Sequence, residues 1–187
     1  RTHDRKKYLL RMLVFALISE IPFNYLYYSS PVFPFHQNVM FTFFIALLLM
    51  LGLEKVRSKG AGLYILAAVL SLPLGYFLGT ITMVDYYGSG VVTVLIFYLC
   101  RQIPYGWIGE VAGLAFLNCK LLGGMTIPLT LGSWTLEFPE QGLALLALIP
   151  IWLYNGRQGA HNKAIQYACY AFYPAHMLIL ALLRMYL

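Results

Sequence analysis

Charged residues are scarce in this sequence. They make up 11% of its 187 residues, against roughly 25% in soluble globular domains, while hydrophobic residues make up 60%. The three cysteines, Cys100, Cys119 and Cys169, are too widely spaced for a metal or redox motif and are typical of buried thiols. Walker, HExxH and GxSxG motifs are also missing. The composition predicts a membrane protein without a metal site.

The apolar residues occur in long continuous blocks. Such blocks favour transmembrane helices over the strands of a barrel, in which apolar and polar residues alternate. We predict an all-α, polytopic helix bundle that forms a single integral membrane domain over residues 1–187, with residues 1–7 as a cytoplasmic basic segment. The seven predicted spans cover residues 8–28, 38–53, 63–82, 88–103, 106–122, 139–154 and 164–186.

The basic residues predict the orientation of these spans. With the N-terminus inside, 11 of the 13 lysines and arginines fall in the inner segments, and only Lys120 and Arg184 fall elsewhere. This asymmetry follows the positive-inside rule. It accounts for the net charge of +6 without nucleic acid, so the expected partner is membrane lipid.

Two ionisable residues lie deep in the predicted spans, where they are costly and often functional. Glu20 lies about twelve residues into the first span, roughly 18 Å deep, and Pro22 is expected to bend or end that helix. His176 lies at a similar depth in the last span, just after the helix-distorting Pro174. Glu20 is either a cavity-lining acid or an acid bonded near a helix end. His176 is either a general base oriented by a carboxylate or a structural histidine.

Further polar residues lie at the predicted outer ends of the spans. Asn38 is a plausible N-cap of the second span. Asp85 and the adjacent Tyr86 either line an outer vestibule or lie in a solvated turn, which the nearby glycines favour.

The basic inner segments offer two interpretations. Lys55, Arg57 and Arg101 are weak candidates for binding an anionic cofactor such as coenzyme A, although topology alone explains their positions. Glu110 lies near Arg101 in the sequence, and we expect a structural ion pair between them.

Three stretches of the sequence are similar to one known family. KKYLLRMLVFALISEIPFN, QNVMFTFFIALLLMLGLEK and YACYAFYPAHMLILALL resemble, in this order, the central and closing regions of the TraX family; DYYGSGVVTVLIFYL resembles it less specifically. The family's namesake is a conjugative-plasmid protein required for N-terminal acetylation of F pilin. The resemblance implies a membrane acetyltransferase of the bacterial inner membrane, which uses cytoplasmic acetyl-CoA and acetylates a protein or small-molecule amine or hydroxyl on the outer side.

The same resemblance implies a set of site residues. By position it implies that Glu20, Asn38, Asp85, Tyr173 and His176 line the active cavity. Within that cavity we expect His176 and Glu20 to act in catalysis, and Asn38, Asp85, Tyr86 and Tyr173 to contact the substrate. Similar proteins begin with a further hydrophobic region that carries an Asp-His pair, whereas this sequence begins at Arg1. We therefore expect one or two N-terminal helices to be missing from it, and His176 to be a supporting residue if the essential histidine lies there.

Two other functions remain open at this point. A proton-coupled transporter would use Glu20 and His176 as relays and would show broken helices in inverted halves. A non-catalytic membrane protein of pilus or envelope assembly would pair its polar residues with one another and leave no cavity.

Overall fold

The computed structural model describes residues 4–101, 103–131, 134–157, 159 and 162–186. They divide into two compact units: Arg1–Val91 with Gln158–Leu187 (unit 1), and Val92–Arg157 (unit 2). The described part of the chain is mostly helical. Its elements are α1 (Arg5–Tyr28), α2 (Val39–Arg57), α3 (Ala61–Ile81), α4 (Tyr87–Cys100), α5 (Gly106–Phe116), a π-helix (Leu117–Leu122), β1 (Thr126–Leu131), β2 (Trp134–Pro139), a 3-10 helix (Glu140–Ala147), α6 (Leu148–Leu153) and α7 (Lys163–Tyr186).

Four of these helices are long and apolar enough to cross a membrane, namely α1, α2, α3 and α7. Only 11–28% of the most apolar window of each is buried inside the protein, so most of this surface is left for lipid. The other three predicted spans correspond to shorter helical segments. The prediction of a mostly helical protein with long apolar helices is thus confirmed, and the complete transmembrane bundle with its seven spans stays a prediction.

The four long helices make up most of unit 1. The start of α2 contacts the middle of α1, where Asn38 binds the Ala16 carbonyl, and the end of α2 reaches the start of α1, where Arg5 forms an ion pair with Glu54. These two helices are therefore antiparallel. Helix α7 packs on α1 in the same direction, because Tyr170 stacks on Phe15 and, farther along both helices, Arg184 donates to the Leu26 carbonyl.

Pro22 was expected either to bend α1 or to end it, and the structure excludes the end. The helix continues through this proline and ends at Tyr28, where Ser29 takes a left-handed conformation and its amide donates to the Tyr25 carbonyl. A proline deprives the preceding turn of one amide donor but does not by itself end a helix that is packed on both sides. Pro22 is buried in this packing.

Unit 2 departs from an all-α fold. The predicted fifth span changes from α5 to a π-helix, and half of the sixth is 3-10 helix. The stretch between them, expected to be a loop, forms an antiparallel hairpin that pairs Thr126 with Pro139 and Leu129 with Leu136. Gly123 and Gly124 have positive φ values and end the preceding helix. The threonines, isoleucine and leucines beyond them favour strand pairing.

A second correction in unit 2 concerns Glu110. Its carboxylate accepts a hydrogen bond from Trp152 Nε1 at 2.7 Å. No ion pair found among the described residues joins Glu110 to Arg101, so the predicted pair is wrong. The indole N–H thus gives the Glu110 carboxylate a hydrogen-bond donor in an apolar segment, where a carboxylate without donors would be costly.

Candidate functional site

Glu20 and Asn38 form the centre of a polar cluster in unit 1. Asn38 is fully buried, and its side chain forms hydrogen bonds with three different residues. Its Oδ1 accepts from the Met40 amide at 3.0 Å, which confirms it as the N-cap of α2. Its Nδ2 donates to the Ala16 carbonyl at 2.9 Å and to Glu20 Oε2 at 2.5 Å. The backbone amide of Asn38 also donates to Glu20 Oε2, at 3.2 Å, so one carboxylate oxygen receives two hydrogen bonds.

Several polar atoms beside this pair have no hydrogen-bond partner in the described structure. They include Glu20 Oε1, Asn24 Oδ1 and the Tyr173 hydroxyl, all of them buried. The side chains of Asn24 and Tyr173 both lie close to the Glu20 carboxylate. Leaving a buried polar atom unpaired costs about 1–3 kcal/mol. Three such atoms together make this cluster a candidate site for a polar group or for ordered water.

Asp85 lies in the turn between α3 and α4. Three residues of this turn, Met83, Tyr86 and Tyr87, have positive φ values, which are uncommon for residues other than glycine. Two contacts hold the turn against the start of α2: the Gln37 amide donates to the Met83 carbonyl, and the Thr42 hydroxyl donates to the Asp85 carbonyl at 2.9 Å. Backbone strain of this kind concentrates at functional sites.

The Asp85 side chain faces a histidine. Asp85 Oδ1 lies 3.4 Å from His36 Nε2, and both side chains are about three-quarters buried. On the other edge of the ring, His36 Nδ1 lies 2.5 Å from the Tyr28 hydroxyl. The ring is parallel to that of Tyr87 and meets Phe23 edge-on. Asp85, His36 and Tyr28 thus form a continuous chain of polar contacts, which we call the outer triad.

Burial raises the pKa of the Asp85 carboxyl, and the nearby His36 acts in the opposite direction. A carboxyl whose folded-state pKa is raised contributes stability below its ordinary pKa and loses that contribution as the pH rises through the raised value. At neutral pH the burial of Asp85 therefore works against stability. A carboxylate placed at such a cost is typical of functional sites.

The structure places the predicted site residues in different surroundings. Glu20, Asn38, Asp85 and Tyr173 come together in unit 1. His176 is half-buried in α7, where its Nδ1 lies 2.9 Å from the Phe172 carbonyl and its ring contacts those of Phe172 and Tyr173. No described contact joins it to Glu20. Among the contacts of the described residues, Tyr173 is what joins it to the polar cluster.

The remaining predicted site residues lie at the margins. Tyr86 is exposed, next to Asp85. Arg57 lies at the end of α2, over the ring of Tyr64 at 5.6 Å, and lines an open depression of about 340 Å³ with Arg5, Glu54 and Ser58. Lys55 is exposed nearby, whereas Arg101 belongs to unit 2.

A narrow groove of about 90 Å³ runs between α1, α2 and α7. Arg11 and Tyr8 lie at the end nearest the start of α1. Met40, at the other end, is two residues from Asn38. The groove therefore leads from a cationic end towards the Glu20 pair. Its lining is mainly apolar and consists of Tyr8, Arg11, Met12, Phe15, Met40, Cys169 and Tyr170.

Sequence reasoning missed His36 as a site residue. Its only local signal is its position two residues before the N-cap of α2, which suggests an ordinary outer loop. Its partners come from two distant places, eight residues before it and forty-nine after it. Within the described ranges, no group of three histidines, cysteines or acids is arranged to hold a metal ion.

Comparison with known proteins places the chain in a family. The family model described as TraX protein matches residues 1–184. The searches of curated proteins and of solved structures gave no match. The match covers nearly the whole sequence, including the helices that carry the polar cluster and the outer triad. The chain belongs to the TraX family.

Proposed function

We propose that this protein is a membrane acetyltransferase. It moves an acetyl group from cytoplasmic acetyl-CoA to an amine or hydroxyl at the outer side of the bacterial cytoplasmic membrane, as the family's namesake does for a pilin N-terminus. The observation that carries the proposal is the group of three unpartnered buried polar atoms around Glu20. A scaffold that paired its polar residues only with one another would leave no such group.

The Glu20 pair would orient the reacting groups. The Asn38 side chain holds Glu20 Oε2, which leaves Oε1 to accept a hydrogen bond from the acceptor's attacking group. The Tyr173 hydroxyl, buried without a partner, can donate to the oxygen that becomes negative when the thioester carbonyl is attacked. His176 beside it is the base that the sequence predicts.

The groove between α1, α2 and α7 supports the donor side of the proposal. When acetyl-CoA is bound, its thioester supplies the activated acetyl group. The phosphates would lie at the basic end of α1, near Arg11, with the depression beside Arg5 and Arg57 as further anion-binding surface. The apolar lining would accommodate the arm that carries the thioester towards Asn38.

A transporter is less well supported. That function predicts broken helices in inverted halves around a midplane site. Among the four long helices of the described structure, α1, α3 and α7 continue through Pro22, Pro73 and Pro174 without interruption.

The test is transfer of labelled acetyl from acetyl-CoA to a peptide amine, with the full-length protein in proteoliposomes. We expect Glu20→Gln and Tyr173→Phe each to lower the rate of transfer by about 10²-fold, as loss of one orienting or oxyanion-binding group does. His176→Gln should also lower the rate of transfer. Tyr167→Phe is the matched control because Tyr167 is 69% exposed on the same helix. Absence of transfer by the unsubstituted protein would refute the function. Full activity of both Glu20→Gln and His176→Gln would refute this site.

A further inference from the structure

The two ring nitrogens of His36 are occupied by groups of different chemistry. An ionised carboxylate can only accept hydrogen bonds, so Asp85 requires a proton on Nε2. In the neutral ring, Nδ1 is then an acceptor, and the Tyr28 hydroxyl must be the donor in the 2.5 Å contact. The partners therefore select one tautomer of His36. The same order, carboxylate then imidazole then hydroxyl, activates a hydroxyl in hydrolytic triads.

Because both nitrogens of His36 are engaged, a substrate can exchange a proton with the ring only through the Tyr28 hydroxyl. Tyr28 is half-buried at the end of α1, and its ring stacks on Phe33 with 3.7 Å between centroids. This stacking fixes the direction of the hydroxyl. The outer end of α1 is also the side on which the acceptor is proposed to enter.

We propose that the outer triad is a proton relay that activates the acetyl acceptor. The inference rests on the proposed acetyl transfer and assigns the acceptor's proton to the outer triad in place of His176, which then acts as a positioning residue for Tyr173. Tyr28 is the group that meets the acceptor, His36 holds the proton, and Asp85 is a positioning residue that stabilises the charged imidazole.

The proton movements balance as follows. The acceptor nitrogen or oxygen attacks the thioester carbonyl and gives its proton to Tyr28 Oη, while the phenolic proton passes to His36 Nδ1. A bond forms between the acceptor and the acetyl carbon, and the carbon–sulfur bond breaks when the tetrahedral intermediate collapses. The proton then returns from His36 through Tyr28 to the departing thiolate. The products are the acetylated acceptor and free thiol, and neither oxidant nor reductant is consumed.

The alternative role of these contacts is purely structural, with His36 joining the loop of residues 29–37 to the turn at Asp85. The two roles predict different pH behaviour. The titratable groups that face the ring are Tyr27 and Tyr28 from α1, Tyr87 from α4 and Asp85 from the turn, with Glu20 farther away. A relay requires the ring to be neutral before each turnover. Activity should therefore fall towards acidic pH in the unsubstituted protein, and this dependence should disappear in His36→Gln.

The decisive experiment compares Tyr28→Phe, His36→Gln and Asp85→Asn in the acetyl-transfer assay. We expect the first two to lower kcat by about 10²- to 10⁴-fold, the range of general-base catalysis. Asp85→Asn should lower kcat and change the tautomer of His36, because the carboxylate that requires a proton on Nε2 is lost. Tyr28→Phe retains the stacked ring, so a merely structural role predicts activity within about twofold of the unsubstituted protein, which would overturn the relay. Tyr25→Phe, on an exposed position one turn earlier, is the control.

A second measurement tests the proton relay independently of acetyl transfer. Nitrogen-15 NMR of the histidine rings in detergent micelles reports the tautomer of His36, assigned by its loss in His36→Gln. A proton on Nε2, with an Nδ1 shift that changes in Tyr28→Phe, supports the relay. A proton on Nδ1 overturns it, whether or not transfer is observed. If the unsubstituted protein transfers no acetyl group, the proposed function fails, and the NMR result alone decides whether the relay geometry exists.

Discussion

Asn38 serves two structural purposes that can be separated by substitution. Its Oδ1 caps α2, and its Nδ2 holds Ala16 and Glu20 in the interior. Asn38→Ala removes both, and we expect it to lower the free energy of unfolding by about 2–3 kcal/mol, the sum of a lost cap and unpaired buried acceptors. Asn38→Ser should restore the cap but not the reach to Glu20, and so recover about 1 kcal/mol.

The matched control is Asn162→Ala. Asn162 caps the start of α7 by accepting from the Ile165 amide at 2.8 Å, but it is exposed and holds no buried carboxylate. Its loss should cost about 1 kcal/mol or less. Denaturant or thermal unfolding in micelles measures all three variants. Equal losses for Asn38→Ala and Asn162→Ala would contradict the role of Asn38 inside the unit.

At the residue scale, site residues could be predicted from the sequence where their neighbours along the chain already mark them as unusual. Glu20 is an acid in an apolar helix, and Asn38 opens an apolar run, so both were predicted. His36 carries no such signal, because its role comes from Tyr28 in α1 and Asp85 in a later turn. The predicted pair of Glu20 with His176 failed to appear among the described contacts for the same reason: matching depth along two helices does not determine which faces of those helices meet.

At the scale of elements, α3 and α4 approach one another closely at their shared turn. A Cβ atom added to Gly88 would clash with the backbone carbonyl oxygen of Tyr76. Backbone cannot move aside as a flexible side chain does. We expect Gly88→Ala to lower the free energy of unfolding by about 1–3 kcal/mol, the range for overpacking. The displaced turn should also lower acetyl transfer, since Asp85 lies three residues away.

Gly62→Ala provides the comparison for that prediction. Nothing lies within 4 Å of a Cβ added at Gly62, in the first turn of α3. Alanine is the better helix former, so this variant should be as stable as the unsubstituted protein or slightly more stable. Thermal unfolding of the two variants side by side tests the close approach. A Gly88→Ala protein that unfolds like Gly62→Ala would refute it.

Hydropathy predicted the helices of unit 1 well, because a run of apolar residues long enough to span a bilayer has few alternative structures. The prediction was poorer in unit 2. The fifth and sixth segments are short and contain glycine, proline and polar residues, so their exact helix type depends on packing. The strands of the hairpin are six residues each, and a proline in β1 masks their alternation.

At the scale of the whole molecule, the packing of unit 1 constrains how the chain crosses the membrane. Helices α1 and α7 are parallel, because Phe15 meets Tyr170 and, farther along both helices, the Leu26 carbonyl accepts from Arg184. Helix α3 is antiparallel to α2, because Arg57 at the end of α2 lies over Tyr64 near the start of α3, while Thr42 near the start of α2 meets Asp85 just after α3. Helix α2 is in turn antiparallel to α1. The end of α3 and the start of α7 thus lie at opposite ends of unit 1. For four helices that all cross the bilayer, this arrangement requires an odd number of further crossings in the segment between α3 and α7.

This constraint predicts that the two ends of the chain lie on opposite sides of the membrane, with the N-terminus inside by the distribution of basic residues. The test is labelling by a membrane-impermeant maleimide after Cys100, Cys119 and Cys169 are replaced by alanine. Ser30→Cys and a cysteine added after residue 187 should react in intact cells, and Ser58→Cys only after permeabilisation. If the added C-terminal cysteine behaved like Ser58→Cys, the number of membrane crossings would be even, and α1 and α7 could not both span the bilayer in their parallel arrangement. The predicted seven spans require the odd result, since α1, α2, α3 and α7 account for four crossings and the intervening segment for three.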